Sequence, residues 1–310
     1  MKLSIVATLY RSAAYIEEFC RRAHAAAEAL VGDDHEIVLV NDGSPDNSLD
    51  VAVALARHDP RLTVVDLSRN FGHHKAMMTG LAQARGELVY LLDVDLEEEP
   101  EWLAPFADQM RSEGCDVVYG VQQQRKGSFY ERWSGALFYT VFRTLSGLDF
   151  PRNITTARLM TRRYVNALLG HKEREIMIAG LWLITGFAQC PHTVNKWSTS
   201  ETTYTLRRKV AAMVNGITSF SDVPLKGIFY IGLVMSALSA LYVAYLVLHR
   251  FVFSMPVSGW TSVMASIWLL GGLIIFCIGI VGIYLSKVFM ETKQRPYTII
   301  RQIYGRDDNS

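Results

Sequence analysis

Asp93-Val94-Asp95 is the most chemically suggestive spacing in the chain, with Glu97 two residues further on. The preceding Leu88-Val89-Tyr90-Leu91-Leu92 reads as a buried strand. Two carboxylates leaving such a strand together repel each other unless a cation lies between them. Oxygen-only donors suit a hard divalent ion, Mg2+ or Mn2+, which would in turn hold a diphosphate. Asp93, Asp95 and Glu97 are therefore the candidate metal ligands. A solvated acidic loop is the competing reading, because Glu98, Glu99 and Glu101 follow directly. Another carboxylate, Asp42, ends a second apolar run within Val40-Asn41-Asp42-Gly43-Ser44. It could accept a hydrogen bond from a nucleobase N–H, or close an Asx-type turn, for which Asp-Gly suffices.

Such residues need a scaffold that gathers strand ends, and the first 120 or so positions carry its pattern. Short apolar runs predict strands at 3–9, 36–41, 62–68, 87–93 and 116–121. Helical periodicity falls between them, at 13–30, 48–58, 74–84 and 101–113. This alternation predicts an α/β fold, Rossmann-like, with a mostly parallel sheet covered by helices. Ligands of such sheets bind beyond the carboxyl ends of the strands. Thr8-Leu9-Tyr10, Asn41–Ser44, Ser68–Gly72 and Asp93–Asp95 fall there. Lys2 with Leu3–Tyr10 imitates a short signal sequence, but Arg11, Glu17, Glu18, Arg21 and Arg22 follow at once, so a first strand is expected. No G-x-G-x-x-G follows that strand and no G-x-x-x-x-G-K-[ST] occurs, which excludes a dinucleotide fingerprint and a P-loop. Further on, a helix is expected over 130–145, a short strand over 156–160, a helix over 163–169 and an interfacial amphipathic helix over 203–219.

Composition sets the frame. Of 310 residues half are hydrophobic and 20% charged, and the mean hydropathy is +0.15. That is too apolar for an ordinary soluble enzyme and too charged for a polytopic carrier. A net charge of +1 gives no polybasic character to argue for nucleic acid. The balance also excludes a disordered chain and a small disulfide scaffold. Cys20, Cys115, Cys190 and Cys277 stand far apart without a C-x-x-C pair, so neither a zinc site nor a disulfide framework is expected. Apolar residues concentrate late. Gly227–Leu248 holds no charge, and as a helix would be roughly 33 Å long, enough to cross a hydrocarbon core. No charge lies between Arg250 and Lys287 either, and Val263–Leu285 is the most apolar part. Phe251–Thr261, with Pro256, Gly259 and Trp260, reads as a short external loop between two transmembrane helices. Arg207, Arg208, Lys209 and Lys226 precede the spans, and Lys287, Lys293, Arg295 and Arg301 follow them, while only His249 and Arg250 flank the loop. Both ends are therefore expected in the cytoplasm. The expected domains are 1–202 for catalysis, 203–225 for the interfacial helix and linker, 226–286 for the two spans and 287–310 for a cytoplasmic tail.

Leu3–Tyr10, Val40–Ser44, Ser68-Arg69-Asn70-Phe71-Gly72-His73 and Asp93-Val94-Asp95-Leu96 together resemble family 2 glycosyltransferases of the GT-A fold. The closer resemblance is to membrane-anchored polyprenyl-phosphate glycosyltransferases, the group that includes dolichol-phosphate mannose synthase and GtrB-type bacterial glucosyltransferases. Val117–Gly120, Asn215–Ser221 and the two late apolar runs extend it over nearly the whole chain. The resemblance implies a cytosolic GT-A domain on a multi-pass anchor in the inner (cytoplasmic) membrane, and a homo-oligomer. It implies transfer of one sugar, with inversion, from a UDP- or GDP-linked donor to a polyprenyl (undecaprenyl) phosphate, with Mg2+ or Mn2+ as cofactor.

Position by position, the resemblance places Leu9, Tyr10, Asp42, Asn70 and Asp93 on the donor. It places Asp93, Asp95 and Glu97, standing for D-x-D-x-Q, on the metal, and Arg125, Arg158 and Tyr204 on the acceptor phosphate. Asp95, Arg158 and Thr156 take the catalytic positions. The acceptor side departs from the family pattern: Gln122 replaces an Arg, Thr156 replaces the Asp often proposed as base, and Thr202-Thr203-Tyr204 lacks a Lys. A hydroxyl acceptor needs a base, whereas a phosphate near pH 7 is already largely dianionic. Thr156 therefore favours a phosphate acceptor, provided that neither Glu173 nor Glu175 substitutes. The competing activities are transfer to a membrane lipid hydroxyl and processive polysaccharide synthesis; the latter lacks its Q-x-x-R-W here. A non-catalytic membrane scaffold is disfavoured by the intact carboxylate pair.

Overall fold

A computed structural model describes residues 1–122, 144–145, 153–174, 176–195, 214, 216–253 and 259–305. Their residues fall into two compact units. One takes those within Met1–Trp133, Asp149–Tyr204 and Arg295–Ser310, the other those within Ser134–Leu148 and Thr205–Gln294.

The first unit has the expected α/β alternation: β1 (Leu3–Leu9), α1 (Ile16–Val31), β2 (His35–Asn41), α2 (Ser48–Ala56), β3 (Leu62–Leu67), α3 (His73–Gln83) and β4 (Leu88–Leu91). A single 3-10 turn at Pro100–Trp102 leads into α4 (Leu103–Glu113). Then come β5 (Val117–Gln122), β6 (Ile154–Thr161), α5 (Arg162–Leu169), α6 (Ile178–Ile184) and β7 (Gln189–Val194). A final strand, β8 (Ile300–Tyr304), completes an eight-stranded sheet in the order β7-β5-β6-β4-β1-β2-β3-β8. β1, β2, β3 and β4 run parallel; β6 is antiparallel to β4 and β5, and β8 to β3. Every residue of β1, β2 and β3 is buried, as befits strands covered on both faces. Helix α3 lies close enough over β1 and β2 that a Cβ on Gly80 would strike Val6 and Val40.

Four expectations change. The segment 287–310 is not a tail: Lys287–Thr292 belongs to a long helix, and β8 is part of the sheet. Its pattern, Ile-Arg-Gln-Ile-Tyr, is too short for periodicity to separate from a loop; a buried acid identifies its place. Asp66 on β3 is 1% exposed, accepts the Asn41 Nδ2–H at 2.8 Å and meets Arg301 Nη1 at 3.2 Å. The cysteines also change. β5 and β7 are neighbours, with Val118 opposite Cys190, and Cys115–Cys190 is a disulfide with a Cα–Cα distance of 6.1 Å. Linear separation hid a proximity made by strand pairing.

In the second unit α7 (Val223–Phe253) and α8 (Trp260–Thr292) are the expected pair of apolar helices. Their connection is shorter than expected, since α7 runs to Phe253 and α8 begins at Trp260. Among the described residues one helical stretch, Leu269–Thr292, is long and apolar enough to cross a membrane; Val223–Met235 is a shorter apolar stretch. Two spans are thus met only in part. Near the base of the pair, Tyr284 donates to the Ser221 carbonyl at 2.6 Å and Lys287 to Ser219 Oγ at 2.9 Å. Most of the helix expected at 130–145 and all of 203–213 lie outside the described residues; 216–219, the end of the helix expected over 203–219, is helical, and the helix includes 220 as well.

Removing Arg301 leaves the buried Asp66 carboxylate with one fewer donor. Arg301→Ala is expected to cost about 2 kcal/mol, a fall of roughly 4–8 °C in unfolding temperature. An unfolding temperature equal to wild type would contradict the role given to this pair.

Candidate active site

Parallel pairing of β1–β4 brings four loops to one edge of the sheet: 10–15, 42–47, 68–72 and 92–99. The first two are sewn together by hydroxyls. Arg11 N–H donates to Ser44 Oγ at 2.7 Å and Ser12 N–H to Ser48 Oγ at 3.0 Å. Ser48 in turn donates to Asp46 Oδ1 at 2.6 Å. Burial would raise the Asp46 carboxyl, but the hydroxyls of Ser44 and Ser48 and two backbone N–H groups overrule it and take it down to about 2.

Asp42 braces the third loop. Its carboxylate is 3% exposed and accepts the Phe71 N–H at 2.7 Å and the Gly72 N–H at 3.0 Å. Burial pushes its carboxyl up, while those two N–H groups and nearby His73 and Arg69 pull it back. Gly43, at φ +59°, passes so close to Arg69 and Asn70 that a Cβ would collide with their backbone. The Asp-Gly pair thus shapes the loop that carries Asn70, which is itself exposed. β8 and the residue before it support the start of the same loop: Ser68 N–H donates to the Ile299 carbonyl at 2.9 Å, and Arg301 Nη2 to the Ser68 carbonyl at 2.7 Å.

The fourth loop begins where β4 ends. β4 stops at Leu91, two residues short of Asp93, so the carboxylates lie on the loop and not on the strand. Asp93 is partly buried and Asp95 exposed. His73 Nε2 stands 3.3 Å from Asp93 Oδ1, and its Nδ1 3.0 Å from Thr8 Oγ1. Burial disfavours the His73 imidazolium, but the carboxylates of Asp93, Asp42 and Glu98 outweigh it and hold its pKa above the ordinary value. Asp95 Oδ1 accepts the Glu97 N–H at 3.1 Å. Among the described residues the one group of three ligand atoms within 4.8 Å of one another is Glu113, Cys115 and Cys190, and its sulfurs form the disulfide. The carboxylates of Asp93, Asp95 and Glu97 share a loop without converging that closely.

The remaining candidates are placed as follows. Tyr10 presents its ring to solvent, 47% exposed, whereas Leu9 is wholly buried in the core and reaches the edge only through its carbonyl, which accepts the Asp42 N–H at 3.1 Å. Thr156 is half-buried on β6. Arg158, two residues on, is 2% exposed: it donates to the carbonyls of Thr155 and Thr156 and lies 2.8 Å from the centre of the Trp182 ring. Burial pushes its pKa down to about 9, against the opposing charges of Tyr164, Glu98 and Tyr119, so it remains cationic at neutral pH. Glu173 pairs with His171 at 3.5 Å. Arg125, Glu175 and Tyr204 lie outside the described residues. Glu98 departs from the acidic-loop reading: it is wholly buried, and its Oε1 accepts the Thr156 N–H at 2.9 Å. Spacing along the chain singles out neither Glu98 nor His73; both acquire meaning only when the strands are set side by side.

With this geometry in view, comparisons define the kinship. The model of "Glycosyl transferase family 2" matches residues 4–169. A Mycobacterium tuberculosis (strain CDC 1551 / Oshkosh) protein whose name places it among glycosyltransferases is 53% identical over 99% of this chain and 90% of its own length. The "Bactoprenol glucosyl transferase" of Shigella phage SfV is 30% identical over 97% of this chain and 98% of its own length. Among solved structures, glucosyl-3-phosphoglycerate synthase from Mycobacterium tuberculosis covers 71% of this chain and 80% of its own at a TM-score of 0.50 and 17% identity, a likeness of fold.

Asp42→Asn can satisfy only one of the two loop N–H groups. Amide exchange at Phe71 and Gly72 is expected to accelerate about tenfold, the equivalent of one lost buried hydrogen bond. Exchange at the wild-type rate in segment 68–74 would contradict the bracing role of Asp42.

Proposed function

We propose that this chain, which belongs to glycosyl transferase family 2, transfers one sugar from a nucleotide-sugar donor to a polyprenyl phosphate at the cytoplasmic face of a membrane. The observation that carries the reading is the loop beyond β4: Asp93 and Asp95 leave the sheet at the edge where Tyr10 and the Asp42-braced loop also stand. In this reading the exposed Tyr10 and Asn70 contact the donor, and Asp42 acts by fixing the loop. The donor set is three carboxylates with no nitrogen or sulfur, which fits Mg2+ or Mn2+. Asp93, Asp95 and Glu97 would hold that cation, which neutralises the leaving diphosphate when bound.

The acceptor is supported by the bactoprenol glucosyl transferase relative, which aligns along almost its whole length. A phosphate acceptor also accords with Thr156, since its nucleophilic oxygen is already ionised. Arg125 and Tyr204 are proposed contacts for that phosphate; Arg158, enclosed by Trp182 and its own strand, contributes positive charge from beneath. Transfer to a lipid hydroxyl is the second reading, kept open by the departures at Gln122 and Thr202-Thr203-Tyr204 from the family pattern.

The membrane arrangement is supported by β8. The chain is back in the first unit by Arg295, within the same sheet as β1–β7. A folded sheet occupies one side of a bilayer, so the segment between crosses an even number of times. That pairs α7 with the span at Leu269–Thr292. Inversion at the sugar and assembly as a homo-oligomer belong to the same proposal.

Purified Asp95→Asn is expected to lose at least about a hundredfold in transfer of label from a nucleotide sugar to undecaprenyl phosphate, with the fold intact. Near wild-type turnover would sink the carboxylate assignment. Reporters fused after Ser310 and inserted beside Gly259 should report opposite compartments, the C-terminal one cytoplasmic; a C-terminus outside the cytoplasm would refute the two-span arrangement.

A further inference from the structure

β4 and β6 part at the edge that carries the carboxylates. Their antiparallel ladder runs from Leu88 opposite Thr161 to Leu91 opposite Arg158 and stops there. β4 has four residues and β6 has eight, so β6 continues where β4 has turned away. Backbone groups that lose a ladder partner inside a protein must find another. For Thr156 that partner is Glu98, whose Oε1 accepts its N–H at 2.9 Å across 58 residues of sequence. Glu98 is wholly buried, although it stands within a run of acids from Glu97 to Glu99. Taking a carboxylate out of water costs several kcal/mol unless charge and hydrogen bonds compensate it. Here the compensation is local: the Thr156 N–H is bonded to it. The carboxylate therefore holds together two things: the end of β6 and the loop of Asp95 and Glu97.

We propose that Glu98 is the positioning residue of this loop: by clamping it to the end of β6, it sets where Asp95 and Glu97 stand for a divalent cation and the donor diphosphate. The inference rests on the reading of Asp93, Asp95 and Glu97 as cation ligands. Glu98 is the buried acid of that loop, so its part is to position its neighbours. It also brings a carboxylate to the strand position where Thr156 replaces an acidic side chain, but spends it on the backbone. Two contacts hold the same loop, His73 on Asp93 and the Thr156 N–H on Glu98.

The test is Mn2+ binding by the full-length protein, followed by the electron paramagnetic resonance of the free ion, with UDP or GDP present. Glu98→Gln keeps an oxygen for the Thr156 N–H; Glu98→Ala removes it. E98A is expected to weaken Mn2+ binding at least about tenfold, as loss of a support behind metal ligands does, and E98Q to stay within about threefold of wild type. Nucleotide binding without metal should be unchanged in both. Should E98A fail to fold, E98D takes its place, since one methylene fewer withdraws the carboxylate from Thr156; the same loss is expected. Wild-type Mn2+ affinity in E98A or E98D overturns the inference and leaves the reading of the site standing. An equal loss of metal-free nucleotide binding overturns it too, because the effect is then a general collapse. Wild-type protein that binds no Mn2+ with either nucleotide overturns both the inference and the reading beneath it.

Discussion

Charge is costly within a sheet covered on both faces, so the acids of this protein gather mainly beyond the ends of its strands, and each one that is buried, there or within a strand as Asp66 is, must be matched. This protein meets the constraint with one partner set per carboxylate. Asp42 takes two backbone N–H groups of the 68–72 loop, Asp93 takes His73, Glu98 takes the Thr156 N–H, and Asp46 takes the hydroxyls of Ser44 and Ser48. Each match costs a loop its freedom. Four loops that would otherwise be independent are tied to one another and to the sheet, and Asp95 is among the acids left exposed. Charge compensation and preorganisation are here the same set of contacts, so in the proposed function the edge would receive a diphosphate without first being rearranged.

The two edges of the sheet are closed differently. At one, β7 lies beside β5 and the Cys115–Cys190 disulfide fastens them. At the other, β8 covers β3, satisfies the buried Asp66 and contacts Ser68 at the entry to the Asp42-braced loop. The second closure has a consequence for function. The strand that finishes the sheet comes after the apolar helices in sequence, so the catalytic unit cannot be completed until the chain has passed through them and returned. In the proposed arrangement anchoring and site assembly are therefore coupled by connectivity.

Much of this was legible in the sequence, for physical reasons. Strands buried on both faces are continuous apolar runs, and α1 and α4 carry a clear helical period, so the alternating core and the four loop sites could be read directly. Asp93-Val94-Asp95 was visible because two acids one residue apart after an apolar run demand an explanation. What stayed hidden was lateral. Which strands neighbour each other is not written in local pattern, so the Cys115–Cys190 proximity and the bond from Thr156 to Glu98 could not be foreseen. β8 is five residues long with Arg301 and Gln302 at its centre, and nothing local separates it from a polar tail. Leu9 illustrates the opposite error: a motif position suggested donor contact, while its period within β1 sends the side chain into the core.

The account turns on what receives the sugar. Undecaprenyl phosphate and undecaprenol, offered together to the full-length protein with a panel of UDP- and GDP-sugars and Mg2+, distinguish the acceptors in one reaction when the lipid products are weighed by mass spectrometry. The account predicts a single sugar added to the phosphate lipid, as an acid-labile phosphodiester, with the alcohol unchanged. A glycoside of the alcohol, or a ladder of several sugars on either lipid, would contradict it.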